Sequence, residues 1–95
     1  MFLLTMKQAW DLFKRQKGLC AISGVAIKLP FSSRLRGAEK QTASLDRIDS
    51  ALPYELDNVQ WVHKVVNIMK HVQSQETFVQ WCNTISAYQC PETMN

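Results

Sequence analysis

Residues 42–70 read TASLDRIDSALPYELDNVQWVHKVVNIMK and contain two strand-like segments followed by a helix-like one. Apolar and polar side chains alternate well enough from 43 to 48 to predict a strand. Asp, Ser, Pro and Asn are frequent from 49 to 58, which indicates a connection. Residues 59–61 predict a second short strand that runs into a helix. The apolar stripe of that helix would consist of Val62, Val65, Val66 and Met69.

Two further helices are expected on either side of this segment. Thr5 is a good N-cap and Gln8 follows three residues later, so a capping box predicts a helix that ends at Gly18. Residues 19–29 predict a turn that enters a short strand and stops at Pro30. Ser74 predicts the start of a last helix. The apolar residues that this helix would bury, at offsets of three and four, are Phe78, Trp81, Cys82 and Ile85.

The composition predicts a single folded α+β domain over residues 1–95. Of the 95 residues 46% are hydrophobic and only three are Gly and three Pro, which is typical of a chain with one compact core. No apolar run reaches the roughly 18 residues that a membrane-spanning helix needs, so we expect a soluble, cytoplasmic protein with no membrane partner. The formal charge of +3 is compatible with a polyanionic partner but does not establish one.

The cysteines argue against a disulfide framework and against a structural zinc site. There are three cysteines, Cys20, Cys82 and Cys90, and an odd number does not suit a disulfide framework. No two of them form a C-x-x-C pair, whereas structural zinc sites combine local pairs of ligands. We therefore expect reduced thiols and no structural zinc.

A second set of polar residues suits a divalent cation. Asp46, near the end of the first strand, and Asn67, on the helix, offer the oxygen ligands that hard cations prefer. His71 lies one turn beyond Asn67 and could add a nitrogen ligand for a softer metal, and Lys70 could contact a phosphate. The alternatives are a strand-end or turn role for Asp46, a solvated Asn67, and a His71 that only interacts with the helix dipole.

With these residues identified, residues 42–70 resemble the HNH nuclease family, whose ββα-metal motif clasps one divalent ion between two strands and a helix. By this resemblance Asp46 is the metal-binding member of the first-strand pair, and Asn67 is the ligand on the helix. Asn58 matches the central, chiefly structural Asn, and His71 falls where colicin-type nucleases have a further metal-binding His. The resemblance implies a ββα-metal core over about residues 43–72, one Mg²⁺ or Mn²⁺ ion, and DNA as substrate. Cys20 matches only weakly the position where zinc-bearing relatives have C-x-x-C.

One position departs from the family pattern. Arg47 stands where the family has the His that acts as general base, and a guanidinium group, which has donors and no acceptor, cannot accept a proton there. His63, one turn before Asn67, is our first candidate for the replacement base, although it could simply cap the helix. Asp49 is the second candidate. The third possibility is activation of water by the metal ion alone, with Arg47 stabilising the charged phosphorane.

The expected function is metal-dependent cleavage of DNA. Arg34, Arg36 and Lys40 lie in a polar, basic segment that we expect to contact backbone phosphates, unless they only keep a loop soluble. The rival interpretations are a catalytically inactive HNH-like module that binds nucleic acid and a protein-interaction domain. Small chains of this kind resemble those of phages and mobile elements in bacterial hosts. The sequence does not indicate an oligomeric state.

Overall fold

Three helices and one two-stranded antiparallel sheet make up the part of the chain that the computed structural model describes, residues 4–29 and 41–90. In chain order the elements are α1 (Met6–Arg15), β1 (Ala43–Arg47), β2 (Val59–His63), α2 (Lys64–Lys70) and α3 (Gln75–Gln89). A 3₁₀ turn, Leu56–Asn58, leads into β2. The predicted α+β class is therefore confirmed, whereas the basic segment 31–40 lies outside the described residues.

The sheet register places the polar residue of β1 opposite a polar residue of β2. Ala43 pairs with His63, Ser44 with Val62, and Asp46 with Gln60. Val62 is fully buried in this sheet, so its prediction as a helical residue was wrong. The reason is that a β-branched residue with a cross-strand partner gains more from the pleated surface than from a helix turn. β2 consequently runs on to His63, which is the N-cap of α2.

The N-terminal capping box is confirmed. Thr5 accepts a hydrogen bond from the Gln8 backbone nitrogen and donates its own backbone N–H to Gln8 Oε1, both at 3.0 Å. The helix ends at Arg15 with Gln16 as its C-cap, and not at Gly18 as predicted. Gly18 instead has a φ of 68° in the turn that follows, a conformation that glycine adopts without steric cost.

Helix α1 is fixed to β2 through Trp61. The Gln16 amide accepts from the Trp61 backbone nitrogen and donates to the Trp61 carbonyl oxygen, both at 2.9 Å. The Trp61 indole donates to Ala9 O at 2.8 Å, and its ring meets Phe13 edge-on. These contacts place the sheet against α1 and leave the other side of the sheet to α2.

The core is formed by the sheet together with α1, the segment that follows α1, and Val66 of α2. Its buried members are Cys20, Ile27, Leu29, Ala43, Trp61 and Val62. The strand expected before Pro30 amounts to an isolated bridge between Leu19 and Ala26. The free Cys20 thiol accepts a hydrogen bond from the Ser23 backbone nitrogen at 3.3 Å, as a buried structural thiol does.

The two C-terminal helices bury less apolar surface than their sequences predict. Val65 and Met69 of α2 are more than half exposed, so the expected apolar stripe was wrong for both, and only Val66 packs against the core. In α3, the predicted N-cap Ser74 is confirmed and Phe78 is buried. Trp81 and Ile85 are 57% and 55% exposed, contrary to expectation, and Cys82 is half-buried. Periodicity identified the amphipathic face but not whether this chain covers it.

Within residues 4–29 and 41–90, every helix is too short or too polar to cross a lipid bilayer.

Candidate functional site

Two parallel side-chain contacts join β1 to α2. Ser44 and Asp46 are two residues apart on β1 and therefore lie on one face of the strand. Asn67 and Lys70 are three residues apart on α2 and therefore lie on one side of the helix. Asn67 Nδ2 donates to Ser44 Oγ at 2.8 Å, and Lys70 Nζ donates to Asp46 Oδ1 at 3.0 Å. The local periods of strand and helix thus bring the Asp and the Asn of the motif to the same interface.

Both oxygens of the Asp46 carboxylate have partners. Asp46 is only 4% exposed; its Oδ1 accepts from Lys70, and its Oδ2 accepts from Gln60 Nε2 at 3.0 Å. Lys70 is completely buried and also donates to the Arg47 carbonyl oxygen at 3.1 Å. A buried carboxylate requires such compensation, because an unpaired charge in the interior is strongly destabilising. The expected phosphate contact of Lys70 conflicts with this placement, since its ammonium group does not reach the surface.

The three predicted metal donors line one small cavity of about 70 Å³. Its polar lining consists of Asp46, Arg47, Ser50, Tyr54, Asn67 and His71. The residues come from the end of β1, the connection that follows it, and the C-terminal half of α2. Folding therefore brings together Asp46, Asn67 and His71.

The chemistry of these donors fits a hard divalent cation. Because the Asn67 amide nitrogen donates to Ser44, its carbonyl oxygen is left as the ligand atom. Each oxygen of Asp46 can accept two bonds, so the carboxylate keeps acceptor capacity beside Lys70 and Gln60. Among the described residues no three His, Cys, Asp or Glu side chains are grouped as a metal site, so an ion here would have few protein ligands. The carboxylate and the amide oxygen suit Mg²⁺ or Mn²⁺, whereas the imidazole would favour a softer ion than Mg²⁺. The neighbouring Lys70 ammonium would compete with any of these ions.

His71 has an unusual backbone conformation. It follows α2 as its C-cap with φ 55° and ψ −126°, and its backbone nitrogen donates to Asn67 O at 3.0 Å. A non-glycine residue in the left-handed region is strained, and such strain is often found at functional sites. The conformation places an exposed His at the cavity, directly after the helix that carries Asn67.

Arg47 brings a permanent positive charge to the same cavity. Its guanidinium group lies over the Tyr54 ring, 5.0 Å from the ring centroid, and Nη1 donates to Leu52 O at 3.3 Å. Cation–π contact and hydrogen bonding together restrict the side chain of Arg47. A restricted guanidinium is suited to bind a phosphate with fixed geometry.

The two side chains predicted as general bases, those of His63 and Asp49, do not line this cavity. His63 Nδ1 accepts from the Val65 backbone nitrogen at 3.1 Å, so this residue caps α2. It does not line the cavity. Asp49 is exposed, and its Oδ1 accepts from Ala51 N at 3.0 Å within the turn. Activation of water by either residue therefore stays a prediction without support from the lining of this cavity.

Asn58 ties together the connection between β1 and β2. Its Oδ1 accepts from Asp49 N at 3.0 Å, and its Nδ2 donates to Asp49 O at 3.1 Å and to Pro53 O at 2.9 Å. The side chain is buried, and its backbone oxygen also accepts from Ile48 N. Asn58 thereby holds in place the connection that contains Ser50 and Tyr54, two residues that line the cavity.

Sequence reasoning missed Gln60, Gln75, Ser44 and Tyr54. Two signals were available: Gln60 is a polar residue between Val59 and Trp61 in an otherwise apolar strand, and Ser44 shares the face of Asp46 by alternation. No sequence signal connects Gln75 or Tyr54 to the site, because their positions depend on α3 and on the turn.

Comparisons with protein-family models, curated proteins and solved structures give no match to this chain. The functional interpretation accordingly rests on the motif in residues 42–70 and on the geometry described above.

Proposed function

We propose that this chain is a metal-dependent endonuclease that hydrolyses phosphodiester bonds in DNA, with an HNH-like ββα-metal core over residues 43–72. One observation carries the proposal: Asp46 from β1 and Asn67 and His71 from α2 and its C-cap line the same cavity, with Arg47 beside them. Asp46 lies 21 positions before Asn67 in the sequence, and their convergence follows from the strand pairing and the β1–α2 contacts.

Each residue at the cavity then has a defined role. A divalent cation held by Asp46 and Asn67 would supply Lewis-acid stabilisation of negative charge on the phosphate. Arg47 would bind and orient the phosphate, since its guanidinium group is held by the Tyr54 ring and Leu52 O. His71 would either complete the cation site or accept a proton from water, because its imidazole lines the cavity beside Asp46 and Asn67 and can act in either role.

DNA is the proposed partner because the resemblance to HNH nucleases implies it, and because the guanidinium group of Arg47 is suited to a backbone phosphate. Arg34, Arg36 and Lys40 add positive charge in the sequence, and we propose that they contact flanking phosphates. Each such contact would steepen the decrease of affinity with salt, with log K changing by about 0.9 per log unit of salt. Binding should therefore be salt-dependent and only weakly selective for sequence.

Relaxation of a supercoiled plasmid tests the proposal. The parent chain should nick the plasmid with Mg²⁺ or Mn²⁺ and not with EDTA. Asn67→Ala and Asp46→Asn should each lower the rate at least about 100-fold, as expected for the loss of a ligand that the cation requires. Asp57→Asn, an exposed carboxylate in the 3₁₀ turn, is the matched control and should cut at the parent rate.

Two results would contradict the proposal. One is a folded parent chain that does not cut with either metal. The other is equal cutting by the parent and by Asn67→Ala, which would identify a contaminating nuclease. Thermal unfolding of each variant distinguishes loss of a ligand from loss of the fold.

The second candidate is an HNH-like module that binds nucleic acid without cleaving it. The buried pair of Lys70 and Asp46 favours this alternative, because the ammonium group already neutralises the carboxylate. Such a module would bind DNA at low salt and would not bind Mn²⁺. A protein-interaction domain, to which the exposed Trp81 and Ile85 of α3 would be suited, would not be retained on DNA at all.

A further inference from the structure

A chain of two side-chain amides connects helix α3 to the Asp46 carboxylate. Gln60 Nε2 donates to Asp46 Oδ2 at 3.0 Å and to Gln75 Oε1 at 2.9 Å. A primary amide has two N–H groups, and these two contacts use both of them. Gln75 is the first residue of α3, whose N-cap Ser74 fixes the start of the helix. The start of α3 therefore determines the direction in which Gln60 presents its N–H groups.

The orientation of Asp46 depends on this chain because its other oxygen is held by Lys70. Lys70 binds Oδ1 and Gln60 binds Oδ2, so the two donors together set the plane of the carboxylate. Without Gln75, the Gln60 side chain would regain rotamer freedom, and the Lys70 ammonium would be the better-fixed of the two donors. A carboxylate held mainly by an ammonium group is a poorer ligand, because the cation must compete with a charge that is already in contact.

We propose that Gln75, acting through Gln60, is a positioning residue that orients Asp46 for a divalent cation. This inference rests on the proposed metal-dependent function, and it makes α3 part of the site although no predicted site residue lies in that helix. Hydrogen-bond partners of ligating carboxylates commonly contribute 10- to 100-fold to metal affinity.

The chemistry of the contact provides a conservative rescue. Gln75 takes part only through an acceptor oxygen, Oε1. Gln75→Glu keeps an acceptor at that place and puts a negative charge in the first turn of a helix, where it is favoured. Gln75→Ala removes the acceptor. Gln80→Ala is the matched control, because Gln80 is an exposed glutamine of the same helix.

A titration of the full chain with Mn²⁺, in which the EPR signal reports the concentration of free Mn²⁺, tests the inference. This measurement does not depend on DNA cleavage. Gln75→Ala should bind Mn²⁺ about 10-fold more weakly than the parent chain, whereas Gln75→Glu and Gln80→Ala should stay close to the parent. If Gln75→Ala does not fold, Gln60→Met removes the same donor from Asp46 and should show the same loss. A purely structural role for Gln75 would lower the unfolding temperature and leave Mn²⁺ affinity unchanged.

The possible failures are distinguishable. Parent-like affinity in Gln75→Ala, or equal weakening in Gln75→Ala and Gln75→Glu, overturns the positioning role and leaves the cation site intact. A folded parent chain that binds no Mn²⁺ overturns both the cation site and the role of Gln75.

Discussion

Lys70 Nζ lies 3.0 Å from Asp46 Oδ1, and both side chains are buried. The pair joins α2 to β1 at the position where the sequence predicts a metal ligand. It is also the feature on which the two leading interpretations differ, because the same ammonium group can be a competitor of a cation or its permanent substitute.

Replacing Lys70 with an uncharged residue should destabilise the protein. Lys70→Met leaves Asp46 as a buried charge without its cationic partner, and we expect a loss of about 3 kcal/mol in the free energy of unfolding. Urea denaturation measures it. The double variant Asp46→Asn/Lys70→Met should recover part of the loss, because both variants lack the bond to Arg47 O and differ only in the charge of residue 46.

Mn²⁺ should stabilise Lys70→Met more than it stabilises the parent, because the cation no longer competes with an ammonium group. A Lys70→Met variant as stable as the parent chain would show that the carboxylate does not need Lys70. Equal stabilisation of the two proteins by Mn²⁺ would show that the ammonium and the metal do not share a site.

The sequence predicted local features better than the partners of polar residues. The cap at Thr5, the cap at Ser74 and the two strands were confirmed because each depends on a few neighbouring residues. The burial of Lys70 could not be predicted, since it depends on a carboxylate 24 positions away in the chain. A lysine at the end of a short helix is ordinarily a surface residue.

His63 should contribute to stability and not to catalysis. His63→Ala removes the side-chain cap of α2 and should cost about 1 kcal/mol, while His63→Ser, a preferred N-cap, should restore most of it. Both variants should cut plasmid DNA at close to the parent rate. Loss of cutting in a His63→Ala protein of undiminished stability would return the role of general base to this residue.

Two substitutions of His71 should differ in stability but not in metal binding, because the backbone of this residue is strained. At φ 55°, glycine relieves strain that alanine does not, so His71→Gly should be about 1 kcal/mol more stable than His71→Ala. Both lack the imidazole, so both should bind Mn²⁺ more weakly than the parent if His71 is a ligand. Thermal unfolding and Mn²⁺ titration of the two variants give the comparison. Unchanged Mn²⁺ affinity in both would leave His71 only the role of proton acceptor.

Asn58 should be the most sensitive position of the connection between the strands. Asn58→Ala removes three hydrogen bonds and leaves partly buried backbone groups of Asp49 and Pro53 unpaired, which should cost about 2 to 3 kcal/mol. Asn58→Asp keeps the acceptor for Asp49 N but directs negative charge at two carbonyl oxygens, so it should not rescue stability. Asp57→Ala, at the exposed neighbouring position, should change stability by less than about 0.5 kcal/mol in the same urea titration. An Asn58→Ala protein that is as stable as Asp57→Ala would contradict this role.

The sequence could predict the candidate-site residues that belong to the motif. It could not predict those whose position depends on how the helices and strands pack. Asp46, Asn67 and His71 line one cavity, whereas metal binding by them stays a prediction. Gln60 and Gln75 were missed because an uncharged amide carries no signal of its own until strand register and helix placement are known. Trp81 and Ile85 were expected in the core because helical periodicity alone does not show whether a partner surface lies within the same chain.

The most direct test of the proposed cation site is an anomalous difference map from crystals of the parent chain soaked in Mn²⁺. The proposal predicts one peak in the cavity, in contact with a carboxylate oxygen of Asp46 and with Asn67 Oδ1. No peak at saturating Mn²⁺, with Lys70 Nζ still bound to Asp46 Oδ1, would contradict the proposal and favour the inactive module.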